Sequence, residues 1–524
     1  MERVTSGVPG LDVVLRGGFL RGGIYMIMGR PGCGKTTLGN QLAFHHVEEG
    51  GRALYVTLLA ESHARMLAHM ESFSWFEPAR IGAAISYVSA YGELERGRLD
   101  GLLEALRLAI RRQEATLLII DGVPTAETVA ESDLALKKFI HELQVLVELM
   151  SCTCLLLTGT NHADAHYPER TMVDGLVTLA TTQPGMRTIR ELEVVKHRGS
   201  PQLTGRHLYE IGPRGVVVHP RLEAVLGTPT SRPEATRDLL RLGIPALDAL
   251  LGGGLVRGST TLLKGPPGIG KTHLGLAFLA EGAAQGEPGL HFGFYEGPPR
   301  LLQKADRIGL GLRDAVERGA IELIWNPEHE QLADALAHRM LEAITRVGVR
   351  RVVIDGLGGL LHALIHAGRA GDFFAALTNE LRARGVTTLI TAEARDLVGA
   401  EVEVPVSGIS AMVENVLYLR YVERRSNMHR FISVFKMSEH GFDPSLREFR
   451  ITEDGISVAE TSASAEAILD GVLRTSAQVS GQPGPATGNG RAGRKRSGKG
   501  EARERGRASK GVDRAPGRRR GGKR

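Results

Sequence analysis

The sequence predicts an α/β protein: two tandem P-loop nucleotide-binding domains, each a mostly parallel sheet flanked by helices, followed by a disordered basic tail. Three observations carry this expectation. A phosphate-gripping motif is written twice, its flanks repeat at the same offset, and the final segment is almost devoid of apolar residues.

The first copy of the motif runs through Gly29, Gly32, Cys33, Gly34, Lys35, Thr36 and Thr37; the second runs through Gly265, Gly268, Ile269, Gly270, Lys271, Thr272 and His273, 236 positions on. Glycines let backbone N–H groups curl around phosphates, the lysine neutralises β/γ charge, and the first threonine hydroxyl ligates Mg²⁺. The helix that follows adds the positive potential of its N-terminus. Gly7-Val-Pro-Gly-Leu-Asp12 and Gly243-Ile-Pro-Ala-Leu-Asp248 stand at the same offset without a gap, so the chain is internally duplicated. ATP and Mg²⁺ are the expected ligands.

At 524 residues and 42% hydrophobic content the chain can fill two or three cores. The expected division is 1–232, 233–470 and a tail, 471–524, with the linker in the Pro/Ser/Thr-rich stretch around residue 233. Three cysteines without metal-ligand spacing argue against a disulfide framework or a zinc site. No apolar run approaches the ~18 residues of a membrane span, and the start lacks a signal-peptide pattern, so a cytoplasmic protein without membrane contact is expected. The net charge of +6 is misleading, because residues 491–524 hold fifteen Lys/Arg against three acids and the rest of the chain is net negative.

In the first half Ile24–Met28 should be the strand entering the glycine loop and Thr37–Val47 the helix leaving it. Ala53–Thr57 and Ala115–Ile120 follow as strands. The second half repeats the order with Thr260–Leu263, His291–Tyr295 and Arg351–Ile354. Near-continuous apolar strands separated by helices indicate a parallel sheet covered on both faces. Asp121 and Asp355 each end an apolar strand, where a second carboxylate can reach the Mg²⁺ held by Thr36 or Thr272. Either could instead be a helix cap, and the pairing of the copies favours the metal role. Glu61 and Glu296 fall just past the strand after the P-loop helix, at an edge that faces nucleotide in a doubly wound sheet. They could orient water, or merely cap a helix.

Taken with Arg16-Gly-Gly18, Leu251-Gly-Gly-Gly254, Tyr421-Val-Glu, Val434-Phe-Lys-Met437 and Arg447-Glu-Phe449, these motifs resemble the KaiC family of RecA-type ATPases. The likeness covers about residues 1–462 and is to the double-domain form of the cyanobacterial clock ATPase. It implies tandem RecA-like domains and a homo-oligomeric ring, usually a hexamer, with ATP between subunits. It also implies an unidentified regulatory protein partner and Glu61 and Glu296 as catalytic bases. A Lys-x-Arg element acting in trans matches Lys196 and Arg198; in the second half the corresponding set is Arg430 and Lys436, with Ser438 where the arginine would stand. The family's paired acids are reduced to Glu61-Ser62 and Glu296-Gly297. The polar residue on the next strand is expected to be Thr160 in one half and Glu393 in the other. The first domain is therefore expected to be the better hydrolase and the second a nucleotide switch.

Two other functions remain open. The resemblance permits a Ser/Thr autokinase acting on Ser410, although Ala411 replaces the family's second acceptor, and Ser410 could equally be a turn serine. A RecA/RadA-type protein using ATP to control nucleic-acid affinity is the other. The fifteen tail cations could bind nucleic acid or another polyanion non-specifically, or simply solubilise the chain.

Overall fold

The computed structural model describes residues 2–58, 63–159, 172–228, 238–327, 330–394, 412–424, 427–463 and 465–466. The boundary placed near residue 233 and the tail from 471 lie outside these residues. Two nine-stranded sheets form, with the same strand order. The first runs from Ile85–Ser89 through Ala53–Thr57, Leu117–Asp121, Thr153–Thr158 and Ile24–Gly29 to Gly175–Thr182, Ile189–His197, Arg206–Gly212 and Gly215–His219. The second runs from Ile321–Trp325 through Gly289–Gly293, Arg351–Asp355, Thr387–Glu393 and Thr260–Gly265 to Asn415–Arg424, Asn427–Met437, Arg447–Thr452 and Gly455–Val458.

In each sheet the strands up to and including the P-loop strand are parallel, and the strand beyond it runs parallel too before the remainder turn back as antiparallel hairpins. This is the tandem RecA-like α/β architecture. The chemistry explains the division: Ile24–Gly29, Leu117–Asp121 and Thr153–Thr158 are buried along their whole length, as crossover helices on both faces require. Helices Lys35–Glu48 and Lys271–Ala284 follow the two glycine loops. The expected strand His291–Tyr295 is shifted: it spans Gly289–Gly293. Its partners end opposite Gly293, at Asp355 and Trp325, so Phe294 and Tyr295 leave the ladder and project over the edge.

The repeated Gly-x-Pro-x-Leu-Asp motif is a structural lock. Asp12 accepts from the Ser6 N–H at 2.9 Å, and Asp248 from the Leu242 N–H at 2.7 Å. The glycine turns that follow are forced by close approach. A Cβ on Gly18 would lie 2.4 Å from the Val4 carbonyl oxygen, and one on Gly254 2.3 Å from that of Leu240.

The two halves share a core. Helix Leu222–Val225 follows the last hairpin of the first sheet, and Leu222 and Leu226 pack among Leu336, Met340, Phe373 and Leu377 of the second half. The Leu222 N–H donates to Asp334 Oδ1 (2.9 Å), and Arg369 joins Asp334 to Glu223 through contacts of 2.8–3.0 Å. Burial raises the cost of each charge, and the pairing offsets it: the Glu223 carboxyl stays below its usual range despite burial, because Arg369 and Arg221 face it.

His207, fully buried beneath this junction, accepts from the Arg221 N–H at Nδ1 (3.0 Å). Burial lowers its pKa to about 4. A histidine held neutral in the folded state binds fewer protons than the unfolded chain between pH ~6.5 and its folded pKa. Stability is thus fully present above about pH 6.5 and falls as the pH drops towards 4, by up to ~3 kcal/mol from this group. Urea midpoints measured across this range should show a flatter acid limb in His207→Asn than in the native chain; an unchanged limb would assign the loss to other groups.

Candidate functional site

Both glycine loops end at a left-handed glycine, Gly34 (φ 96°) and Gly270 (φ 117°), that caps the following helix. Side chains cannot stand there: a Cβ on Gly34 would meet Ile211 at 2.5 Å and one on Gly270 would meet Ile451 at 2.5 Å. The loops are therefore wedged against the last hairpin of each sheet. Tyr209 reinforces the first by donating its hydroxyl to the Cys33 carbonyl at 2.6 Å. Lys35 donates to the Gly29 and Arg30 carbonyls (2.8 and 3.1 Å), and Lys271 to those of Gly265 and Pro266 (2.8 and 2.9 Å). Two carbonyls thus aim each ammonium, and the Cys33 Sγ adds a longer contact to Lys35 at 3.9 Å; with three hydrogens, each lysine can still turn one to a phosphate.

The Thr36 hydroxyl donates to Asp121 Oδ2 at 2.9 Å, and the Thr272 hydroxyl to Asp355 Oδ2 at 2.9 Å. A hydroxyl and a carboxylate converging beside the ammonium are hard oxygen donors of the kind Mg²⁺ takes. Mg²⁺ is usually held by one or two carboxylates plus substrate phosphates. Accordingly, no group of three or more His, Cys, Asp or Glu ligands occurs among the described residues. The residues therefore fit Mg²⁺ with a nucleotide. Cavities of about 600 Å³ over the first loop and about 400 Å³ over the second give room for it.

The surroundings of the two aspartates differ. Tyr55 and His291 occupy the same place in the repeat, 236 positions apart. Tyr55 donates its hydroxyl to Asp121 Oδ2 at 2.8 Å, and burial beside that carboxylate pushes the phenol well above its ordinary pKa. His291 Nε2 lies 3.4 Å from Asp355 Oδ2, and Thr391 donates to Asp355 Oδ1 at 2.7 Å. Burial works against the Asp355 carboxylate, yet His291, Thr391 and Thr272 leave its pKa below the usual value. Burial also lowers the pKa of Lys271, opposed by the charges of Glu393 and Asp355, and that of His273, helped by Lys304.

Glu296 lines the second cavity, where one carboxylate oxygen pairs with Lys304 and the other is buried without a hydrogen-bond partner among the described residues. Glu61, Thr160 and Ser410 lie outside the described residues. Sheet register corrects one expectation. Leu157 pairs with Asp121 and Thr391 with Asp355, so the counterpart of Glu393 is Gly159, one residue before Thr160. Thr158 and Thr391 are alike in composition, but the hydrogen bonds of the ladder make Leu157 the counterpart of Thr391.

Lys196 and Lys436 sit at matching places on the first antiparallel strand beyond the parallel set; Arg198 follows that strand directly, and Arg430 lies further back along it, at the place Arg190 holds in the first half. Lys196 donates to the Val173 carbonyl (2.6 Å) and Lys436 to that of Val413 (2.8 Å). Beside each, the ladder bulges, between Leu176 and Val177 and between Val416 and Leu417. Arg198 is exposed and lies 3.8 Å from Asp174. In the second half Glu414 instead pairs with Arg382, and the Ser438 hydroxyl donates to the Glu414 carbonyl at 3.0 Å. Arg430 lies over the Tyr421 ring, 5.9 Å from its centroid. Burial lowers the pKa of Lys196, with Arg198 adding to the effect.

Tyr55, Tyr209, His291 and Lys304 went unnoticed in the sequence. Superposing the two copies residue by residue exposes the first and third, since polar side chains at one position of two otherwise apolar strands are unusual.

Comparison with known proteins agrees with the duplicated architecture. The sequence model of the family described as ATPase: KaiC matches residues 4–223 and again 240–463. The circadian clock oscillator protein KaiC of Picosynechococcus sp. is 27% identical over 489 residues, covering 90% of this chain and 92% of its own length. Circadian clock oscillator protein KaiC 1 of Synechocystis sp. is 26% identical, with 90% and 92% coverage. KaiC of Rippkaea orientalis is 26% identical over 486 residues, with 90% and 91% coverage.

Proposed function

The chain belongs to the KaiC family of ATPases, and we propose that each half binds Mg²⁺-ATP, with the first half the better hydrolase and the second a nucleotide switch. The observation that carries this is the repeated Lys–Thr–Asp constellation with unlike neighbours around each aspartate. Lys35 and Lys271 would grip phosphates, and Thr36 with Asp121 and Thr272 with Asp355 would hold the metal. When bound, the metal ion neutralises charge on the β- and γ-phosphates. The loop N–H groups and lysines hold the nucleotide for in-line attack, a contribution of position and preorganised charge.

In the first half Glu61 is assigned to orient the attacking water. The difference between halves rests on two features. Glu296 is drawn into an ion pair with Lys304, and Ser438 stands where Arg198 stands in the first half. A cation offered across a subunit interface can stabilise developing γ-phosphate charge. We therefore assign Lys196 and Arg198, and in the second half Lys436 and Arg430, to a neighbouring subunit's site in a homohexameric ring. Particle mass with and without ATP and Mg²⁺ tests the ring; a monomer with full turnover would remove the trans assignments. No helix among the described residues is long and apolar enough to cross a membrane, and we place the protein in the cytoplasm, where an unidentified regulatory protein would read the nucleotide state.

Glu61→Gln is expected to lower turnover at the first site by ~10²-fold, the usual worth of a positioned acid–base group, so that the chain retains only what the second site supplies, and Glu296→Gln is expected to lower the total by much less. Phosphate-release rates for the two variants decide the ranking, and equal losses would contradict it. The autokinase reading on Ser410 is tested separately by mass spectrometry after incubation with ATP.

A further inference from the structure

The geometry points to Glu393, rather than Glu296, as the carboxylate that activates water in the second nucleotide site. This inference rests on the reading of that site as an ATP site.

Glu393 ends the strand beside the P-loop strand and pairs in register with Gly265, the first glycine of the loop. That register sets its carboxylate at the height of the loop, at the carboxyl edge of the sheet. It lines the cavity together with Lys271, Thr272 and Asp355. Its charge acts on the Lys271 ammonium, the group that faces the β- and γ-phosphates. The residue is exposed to the cavity and has no hydrogen bond or ion pair among the described residues.

Glu296 has the opposite properties. One oxygen is engaged by Lys304, and the other is closed off from solvent. A base must be within hydrogen-bond reach of the water whose proton it takes. Glu393 lines the cavity with its carboxylate uncommitted among the described residues, whereas Glu296 would have to break its ion pair to take that part. The first site offers no counterpart, because Gly159 occupies the equivalent register position. The two copies thus draw their base from different strands.

In the step, the water oxygen forms a bond to the γ-phosphorus as the bridging Pγ–O bond breaks. ADP leaves with that electron pair, and the water proton passes to the Glu393 carboxylate and then to solvent. A carboxylate so placed also repels the γ-phosphate. Its neutralisation should therefore tighten ATP binding while slowing hydrolysis, a split that a purely structural residue would not produce.

The experiment uses the full chain carrying Lys35→Ala, which silences the first site. Fluorescent ATP analogue binding and single-turnover hydrolysis are measured with and without Glu393→Gln, and with Glu296→Gln for comparison. Glu393→Gln is expected to cut the second-site rate at least tenfold and to tighten analogue binding about twofold to fivefold, as removal of one screened like charge near a phosphate would. A larger rate loss in Glu296→Gln than in Glu393→Gln overturns the inference, as does binding without any hydrolysis in the Lys35→Ala parent. Loss of analogue binding in that parent would instead overturn the reading of the second half as an ATP site.

Discussion

Lys35→Ala is expected to remove most of the ATP turnover of the chain, leaving a residue of a few per cent, whereas Lys271→Ala should leave more than half. The double variant should lose turnover by ~10²–10³-fold or more, the scale on which one preorganised charge acts at a transition state. The physical reason lies in what each ammonium is doing. Both are aimed by two loop carbonyls, so replacement by alanine removes the charge and takes one donor from each of those carbonyls. Nucleotide binding should weaken at the altered site only. Phosphate release and analogue titration on the three variants check this. A Lys271→Ala loss as large as that of Lys35→Ala would mean that the two halves share the work equally.

The second large effect concerns stability. Arg351 is fully buried at the start of the strand that ends at Asp355. Its guanidinium donates to Glu287 (2.6 Å), to the Arg241 and Phe278 carbonyls (2.8 and 3.1 Å) and to Gln285 (3.3 Å), and lies over the Phe278 ring at 4.9 Å. It crosses Gly282, where a Cβ would come within 2.5 Å of it. One side chain therefore ties the entry segment of the second half, the end of its P-loop helix and the following turn to the sheet. Arg351→Ala would open a cavity, remove a donor from the Arg241 and Phe278 carbonyls and leave Glu287 with Arg257 as its remaining cation. The expected cost is about 3–5 kcal/mol. Arg351→Met, which refills much of the space without donors, should recover only part of it. Denaturation followed by probes in each half should show the second half melting first, and coincident unchanged midpoints would contradict the assignment.

Much of the fold was legible because its signals are local. The glycine loops need particular backbone angles, the parallel strands need unbroken apolar runs, and the duplication makes each half a check on the other. The strand after the second P-loop helix was misplaced by two residues, since apolar Phe294 and Tyr295 continue the pattern after the ladder has run out of partners. In the candidate site the lysines, threonines and aspartates were readable from spacing. Their immediate company was not. Tyr55 and His291 lie inside strands and reach Asp121 and Asp355 only after the sheet is assembled. Lys304 meets Glu296 across a helix whose orientation no motif specifies. Arg351 opens an apolar strand, and only packing shows that its guanidinium is interior.

Leu222 and Leu226 have a bearing on how the chain can be divided. An ancestral copy standing alone would have had to cover the surface around Leu336 and Phe373 by other means, whereas here that surface is closed by the tail end of its predecessor. The duplicated halves have become interlocking, and scissors applied at the repeat boundary would damage both products. A fragment beginning after residue 228 should be poorly soluble, and one beginning before Pro220 should carry its own stopper.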